Sequence, residues 1–300
     1  MNRAGKTLLL ILLIQCGILA AMYWPQQAAE MRARERALLT VSQGGIDEIR
    51  IGNTPDTEAV ILKSGGRWVL PELENLPADA LMVEKLLDGL TNTQANWPVA
   101  RSTAARQRFQ VADYHHQRRI SLFSSGRQLA TLYLGTSPGF RKVHARNADR
   151  DPIFSIAFNL FDAPGRSRDW IDRKLLQIRT PVRITADTYS IHREGGDWQT
   201  ASGDVPDERE LLALLSALRS LQVDGVASEQ LQDALATSEA DLLLQVEGLS
   251  GKISLGLFSY DGEHFISSSE FPFLFKLSAY DYDRLTSIDF GLTSHEETAQ

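Results

Sequence analysis

The amino-acid sequence predicts an α+β protein: an N-terminal transmembrane helix followed by two tandem repeats of a β-β-α-β-β-β-α unit with mainly antiparallel sheets. Three observations carry this. An apolar run occupies positions 8–24, broken only by Gln15. A hairpin-and-tryptophan pattern at Ile61–Trp68 recurs at Ile191–Trp198. After each tryptophan, a proline opens an amphipathic helical pattern.

Composition bounds the reading. A chain of 300 residues suits one or two domains, and 43% hydrophobic with 23% charged residues excludes global disorder. One cysteine, Cys16, excludes a disulfide framework and any cysteine-rich metal centre. The net charge of −7 argues against a nucleic-acid partner.

The first element is the anchor. Seventeen residues, Leu8 to Trp24, cover about 26 Å as a helix, enough for a thin bilayer. Tyr23 and Trp24 suit the headgroup layer at its far end, and Arg3 and Lys6 keep the N-terminus cytoplasmic. A cleaved signal peptide asks for a small-x-small site, which Leu19-Ala20-Ala21 matches poorly. A lipoprotein site at Cys16 asks for a small residue where Gln15 stands. The expectation is a single-pass inner-membrane protein whose body lies in the periplasm. Residues 1–25 form the cytoplasmic tip and anchor, and 26–45 a solvated helical stalk.

The body follows as a first unit over 46–165, a connector over 166–180, a second unit over 181–290, and a flexible tail over 291–300. In the first unit, Ile49-Arg-Ile51 reads as a strand, and Gly65-Gly66 as a hairpin turn, because glycine reaches positive φ without a Cβ clash. Val182-Arg-Ile184 and Gly195-Gly196 hold those places in the second. The first helix places Leu81, Val83, Leu86, Leu87 and Leu90 on one face; the second places Leu211, Leu214, Leu215 and Leu218. Strands are expected at 119–123, 128–134 and 152–156, then at 242–246, 252–257 and 273–277. Each unit closes on an aromatic-rich helix, around Phe158, Leu160 and Phe161, then around Tyr280, Tyr282 and Leu285. Trp68, Trp170 and Trp198 are the expected structural anchors.

At this point the pattern resembles a known family. Trp68-Val-Leu-Pro71, then Pro77-Ala-Asp79 with Val83, Leu86, Leu87 and Leu90, then Asp169–Leu176 are similar to domain-of-unknown-function family 4340. The likeness covers about residues 46 to 290. One departure is visible: Phe109-Gln-Val-Ala-Asp-Tyr114 stands where the family often carries a Tyr/Phe-Gly-Leu-x-x-Pro turn. The resemblance implies a membrane-anchored extracytoplasmic protein of the kind encoded beside gliding-motility-type ABC-2 exporters. Its implied partners are the permease and auxiliary subunits of such an exporter; it supplies no catalytic residues.

Cofactor-binding signatures are missing from the sequence. There is no phosphate loop and no dinucleotide fingerprint. His115-His116 would point to opposite faces of a strand, a poor arrangement for one metal ion. Asp281-Tyr-Asp283 lacks the rest of a calcium loop. No cofactor or metal is expected.

Charge is unevenly spread. Positions 1–45 net +3, positions 46–178 net +3 with 18 basic against 15 acidic residues, and positions 179–300 net −13. Arg101, Arg106, Arg108, Arg118, Arg119, Arg127, Arg141, Lys142, Arg146 and Arg150 crowd one segment. They form either a solvated basic face or a patch toward anionic lipid headgroups or an acidic partner; Arg101, Arg106, Arg108, Arg118, Arg119, Arg141, Lys142 and Arg146 are the candidate interaction residues. The leading expectation is a non-enzymatic accessory or scaffold subunit. A carrier holding a lipid, glycan or peptide between two lobes is a second reading, and an envelope hydrolase a third.

Overall fold

The computed structural model describes residues 38–290, apart from 40, 55–56, 92–96 and 250, together with Gln15. The expected anchor over 8–24, most of the stalk and the tail over 291–300 lie outside the described residues. Among the described residues, no helix is long and apolar enough to cross a membrane. They fall into two compact units, 38–72 with 80–167, and 73–79 with 168–290.

In the first unit, β1 (Glu48–Gly52) buries Ile49 and Ile51 completely, as its alternation dictates. It pairs antiparallel with β2 (Glu58–Ser64) on one side. Gly65 and Gly66, both at positive φ, turn the chain into β3 (Arg67–Leu70). Helix α1 (Ala80–Thr91) buries Val83, Leu86, Leu87 and Leu90, spaced three and four apart. Leu81 is not part of that stripe: it lies two positions before Val83, about 200° round the helix, and is 69% exposed.

Then come β4 (Pro98–Ala100), α2 (Thr103–Arg108), β5 (Arg118–Ser124), β6 (Arg127–Leu134), β7 (Val143–Asn147) and β8 (Ile153–Ile156). Within the unit, the strands lie in the order β3-β2-β1-β5-β6-β7-β8-β4, and the pairings recorded between them are antiparallel. Ser102 caps α2, its hydroxyl accepting from the Ala105 N–H, and Ala105 packs with Val111, Tyr133 and Ile153 in one apolar cluster.

The second unit contains β9 (Pro181–Thr185), β10 (Ser190–Glu194), β11 (Asp197–Thr200), α3 (Glu208–Ser220), β12 (Val223–Val226) and α4 (Glu229–Leu235). It continues with β13 (Leu242–Gly248), β14 (Gly251–Tyr260), β15 (Glu263–Ser268), β16 (Phe271–Leu277) and α5 (Ala279–Thr286). Its strands lie in the order β11-β10-β9-β13-β14-β15-β16-β12. This is the order of the first unit with every strand number raised by eight. Leu235 of α4 packs with Ala227, Phe265 and Leu274 in an apolar cluster.

Several expectations are corrected. Among the described residues, each unit contributes eight strands to its main sheet where the seven-element pattern allows five: the Gly-Gly hairpin supplies two, β2 with β3 and β10 with β11, and β4, β7, β12 and β15 are short or carry polar residues at buried positions. The first unit does not close on a helix. Leu160–Asp162 is a single 3₁₀ turn, started by the Asn159 side chain and cut short by Pro164. Trp198 is only half-buried, whereas Trp68 is buried and Trp170 fully so. Within the expected solvated stalk, Leu38 and Leu39 are instead buried, and the Leu38 carbonyl accepts from Asn147 Nδ2 at 3.1 Å.

Candidate functional interface

The basic segment is not uniformly free surface charge. Arg119 reaches Glu58 at 2.5 Å, Arg106 is ion-paired with Asp151, and Arg118 donates to Asn53 Oδ1 at 3.0 Å. Arg101 and Arg108 are exposed, and the Arg108 guanidinium stacks 4.5 Å from the Phe109 ring centroid. Arg146 is not a surface residue at all, being 3% exposed. Only Arg141 and Lys142 remain as adjacent exposed cations.

Strand β7 explains the burial of Arg146. His144 and Arg146, two residues apart, share one strand face. Arg146 Nε donates to the Val111 carbonyl at 2.9 Å, and its Nη1 faces the carbonyls of Asn147, Ala148 and Arg150 at 3.0–3.2 Å. The guanidinium also sits 5.0 Å from the Tyr133 ring centroid. Burial, then repulsion from Arg106, lowers its pKa below the ordinary arginine value. A cation so held fastens the loop after β7 to the segment after α2. Beside it, His144 stacks on Phe109 with centroids 4.2 Å apart, its Nδ1 2.9 Å from Thr136 Oγ1. Burial pushes the imidazole below its usual pKa, the Arg108 charge adding to the effect and a hydrogen bond with the Thr136 backbone opposing it.

A small open cavity of about 250 Å³ lies on the same unit, lined by Lys85, Arg141, Ala157, Phe158, Asn159 and Asp162. Lys85 of α1 donates to Asp162 Oδ1 at 2.8 Å across it. Phe158, one of its lining residues, lies close to Gly89 of α1, where a Cβ would stand 3.0 Å from the ring. Two large apolar side chains flank the ion pair in sequence and are left in water. Leu81 lies one helical turn before Lys85, and Phe161, beside Asp162, is 89% exposed. Opposite charges, a shallow depression and stranded apolar groups are the makings of a contact surface.

The remaining chemistry is dispersed. Among the described residues, no three His, Cys, Asp or Glu side chains are grouped to hold a metal ion. His116 places Nδ1 3.0 Å from the Ala112 carbonyl and Nε2 2.9 Å from that of Asn53. In the second unit, the Tyr282 hydroxyl donates to Asp241 Oδ2 at 2.8 Å, and burial with that carboxylate pushes its pKa up to about 12. Asp281 sits in the first turn of α5, where its N–H is capped by Ser278. The sequence reading missed Phe161 as a surface residue by placing it in a helix, although Pro164-Gly165 nearby was the available signal for a truncated turn.

A family model described as a domain of unknown function (DUF4340) matches residues 68–242. No curated protein and no solved structure matches the chain.

Proposed function

From the premise that the chain belongs to the DUF4340 family, we propose a non-enzymatic accessory subunit, anchored in the inner membrane by residues 8–24 and acting by contact in the periplasm. Its partners are the permease and auxiliary subunits of an ABC-2-type exporter. The body consists of two copies of one α+β unit; the shared strand order and the recurring Gly-Gly-x-Trp hairpin support that reading.

The observation that carries a contact role is the exposed pair Leu81 and Phe161 beside the Lys85–Asp162 ion pair. Burying both side chains against a partner recovers roughly 2–3 kcal/mol each, which is enough to hold a subunit that membrane confinement already keeps nearby. The neighbouring cavity gives such a partner a defined register.

The test is purification of the tagged full-length protein from detergent-solubilised membranes of its native cell. Co-recovery of an exporter permease and its ATPase is expected, and the L81E/F161E double variant should recover neither while keeping the same thermal melt. Recovery of the wild type alone would overturn the proposal.

A further inference from the structure

The loop joining β6 to β7 is a built turn. Ser137 Oγ donates toward the carbonyls of Gly139 and Lys142, each at 2.7 Å. Gly139 and Lys142 close an isolated antiparallel bridge, and Arg141 takes the left-handed conformation at φ 51. A non-glycine residue accepts that backbone only where its surroundings fix it. What the turn presents is Phe140, 89% exposed, followed by exposed Arg141 and Lys142. The Arg141 guanidinium lies 5.3 Å from the Phe140 ring centroid, and neither cation is ion-paired among the described residues.

We propose that this turn seats on the anionic headgroup layer of the membrane, with the Phe140 ring among the headgroups and Arg141 and Lys142 against lipid phosphates. An aromatic ring with flanking cations is suited to that layer, where apolar and polar groups are both accommodated. A protein partner is a poorer fit at this spot. A stable protein interface needs about 800 Å² on each side, whereas the turn offers one ring between Pro138-Gly139 and two flexible cations.

The proposal rests on the anchored reading, and chain length is compatible with it. The described body begins at Leu38, which Asn147 holds at the far end of β7, about 13 Å along the strand from Val143. From Trp24 to Leu38 the chain can reach roughly 45 Å when extended. That is ample for the turn to meet the surface that residues 8–24 enter. Contact at this point would fix the tilt of the first unit over the bilayer.

The test uses the full-length chain with Cys16→Ser and Gly139→Cys, since an added Cβ at Gly139 meets no atom within 4 Å. An environment-sensitive fluorophore on residue 139 is read in phosphatidylcholine vesicles and in vesicles containing phosphatidylglycerol. A blue shift is expected in the anionic vesicles only, reduced by 0.5 M salt and lost in the Phe140→Ala variant. Pairing Arg141→Gln with Lys142→Gln should weaken the response by about fivefold per cation. Unshifted emission in both lipids overturns the proposal. Carbonate extraction reads the anchor separately. A chain that resists extraction with unshifted emission sinks the turn contact alone. A chain that is released, yet still shifts on added anionic vesicles, sinks the anchor alone.

Discussion

The backbone amide of Asp79 donates to the carbonyl of Trp170 across 2.8 Å. The Asp172 amide returns a bond to the Pro77 carbonyl at 2.9 Å, and Ala78 and Ile171 form the antiparallel bridge between them. The Pro-Ala-Asp segment and the Asp-Trp-Ile-Asp segment, far apart in the chain, are thus two sides of one ladder. Ala78 and Trp170 are both buried within it.

Trp170 has no exposed surface, so its truncation leaves a large cavity. Trp170→Ala should cost about 3–5 kcal/mol in urea denaturation, while Trp170→Phe should cost less than roughly half as much. Equal costs for the two variants would show that the ring is not packed as described.

Arg146 and Arg141 lie close in sequence and should behave oppositely. Arg146→Met leaves the Val111 carbonyl and its neighbours without their donor, so about 2–4 kcal/mol of stability should go. Arg141→Gln at an exposed turn should stay within roughly 0.5 kcal/mol. Chemical denaturation of both proteins decides it.

His144 makes stability fall on the acid side. Its folded pKa is depressed, so above the ordinary histidine value of about 6.5 both states are neutral and the contribution is fully present. As pH drops below 6.5, the unfolded chain takes up a proton that the buried imidazole resists, and stability is lost down through the folded pKa. Melts from pH 8 to 5 should show this slope, and the His144→Gln variant should flatten it. An unchanged slope in the variant would assign it to another group.

Gly135 should tolerate no side chain. A Cβ there would stand 2.0 Å from the Phe109 carbonyl oxygen and 2.3 Å from that of Gln110, both backbone atoms that cannot swing aside. Gly135→Ala is expected to cost at least about 3 kcal/mol or to prevent soluble expression. Gly44→Ala, where nothing lies within 4 Å, should be nearly neutral.

Periodicity made part of this molecule legible in advance. Ile49 and Ile51, the paired glycines and the stripe Val83, Leu86, Leu87, Leu90 each encode local geometry through spacing alone, and all are found where that spacing puts them. Strand β7 was illegible for the opposite reason. Val-His-Ala-Arg-Asn reads as a polar loop, yet every residue in it is buried. Backbone carbonyls from Val111 and the loop after Asn147 satisfy the guanidinium, and no sequence pattern states that those carbonyls will converge.

The candidate interface shows the same division. The cluster of basic residues was visible in the sequence. Which cations stay in water was decided by partners distant in the chain. Glu58 takes Arg119, Asp151 takes Arg106 and four carbonyls take Arg146, while Arg101, Arg108 and the adjacent pair Arg141 and Lys142 beside Phe140 stay exposed. By itself the sequence determined the alternating strands, the glycine hairpins and the helix stripes, because those depend on neighbours a few residues away. Tertiary structure alone decided which charges were consumed and which apolar groups were stranded at the surface, because burial and pairing depend on chain segments that meet only in the fold.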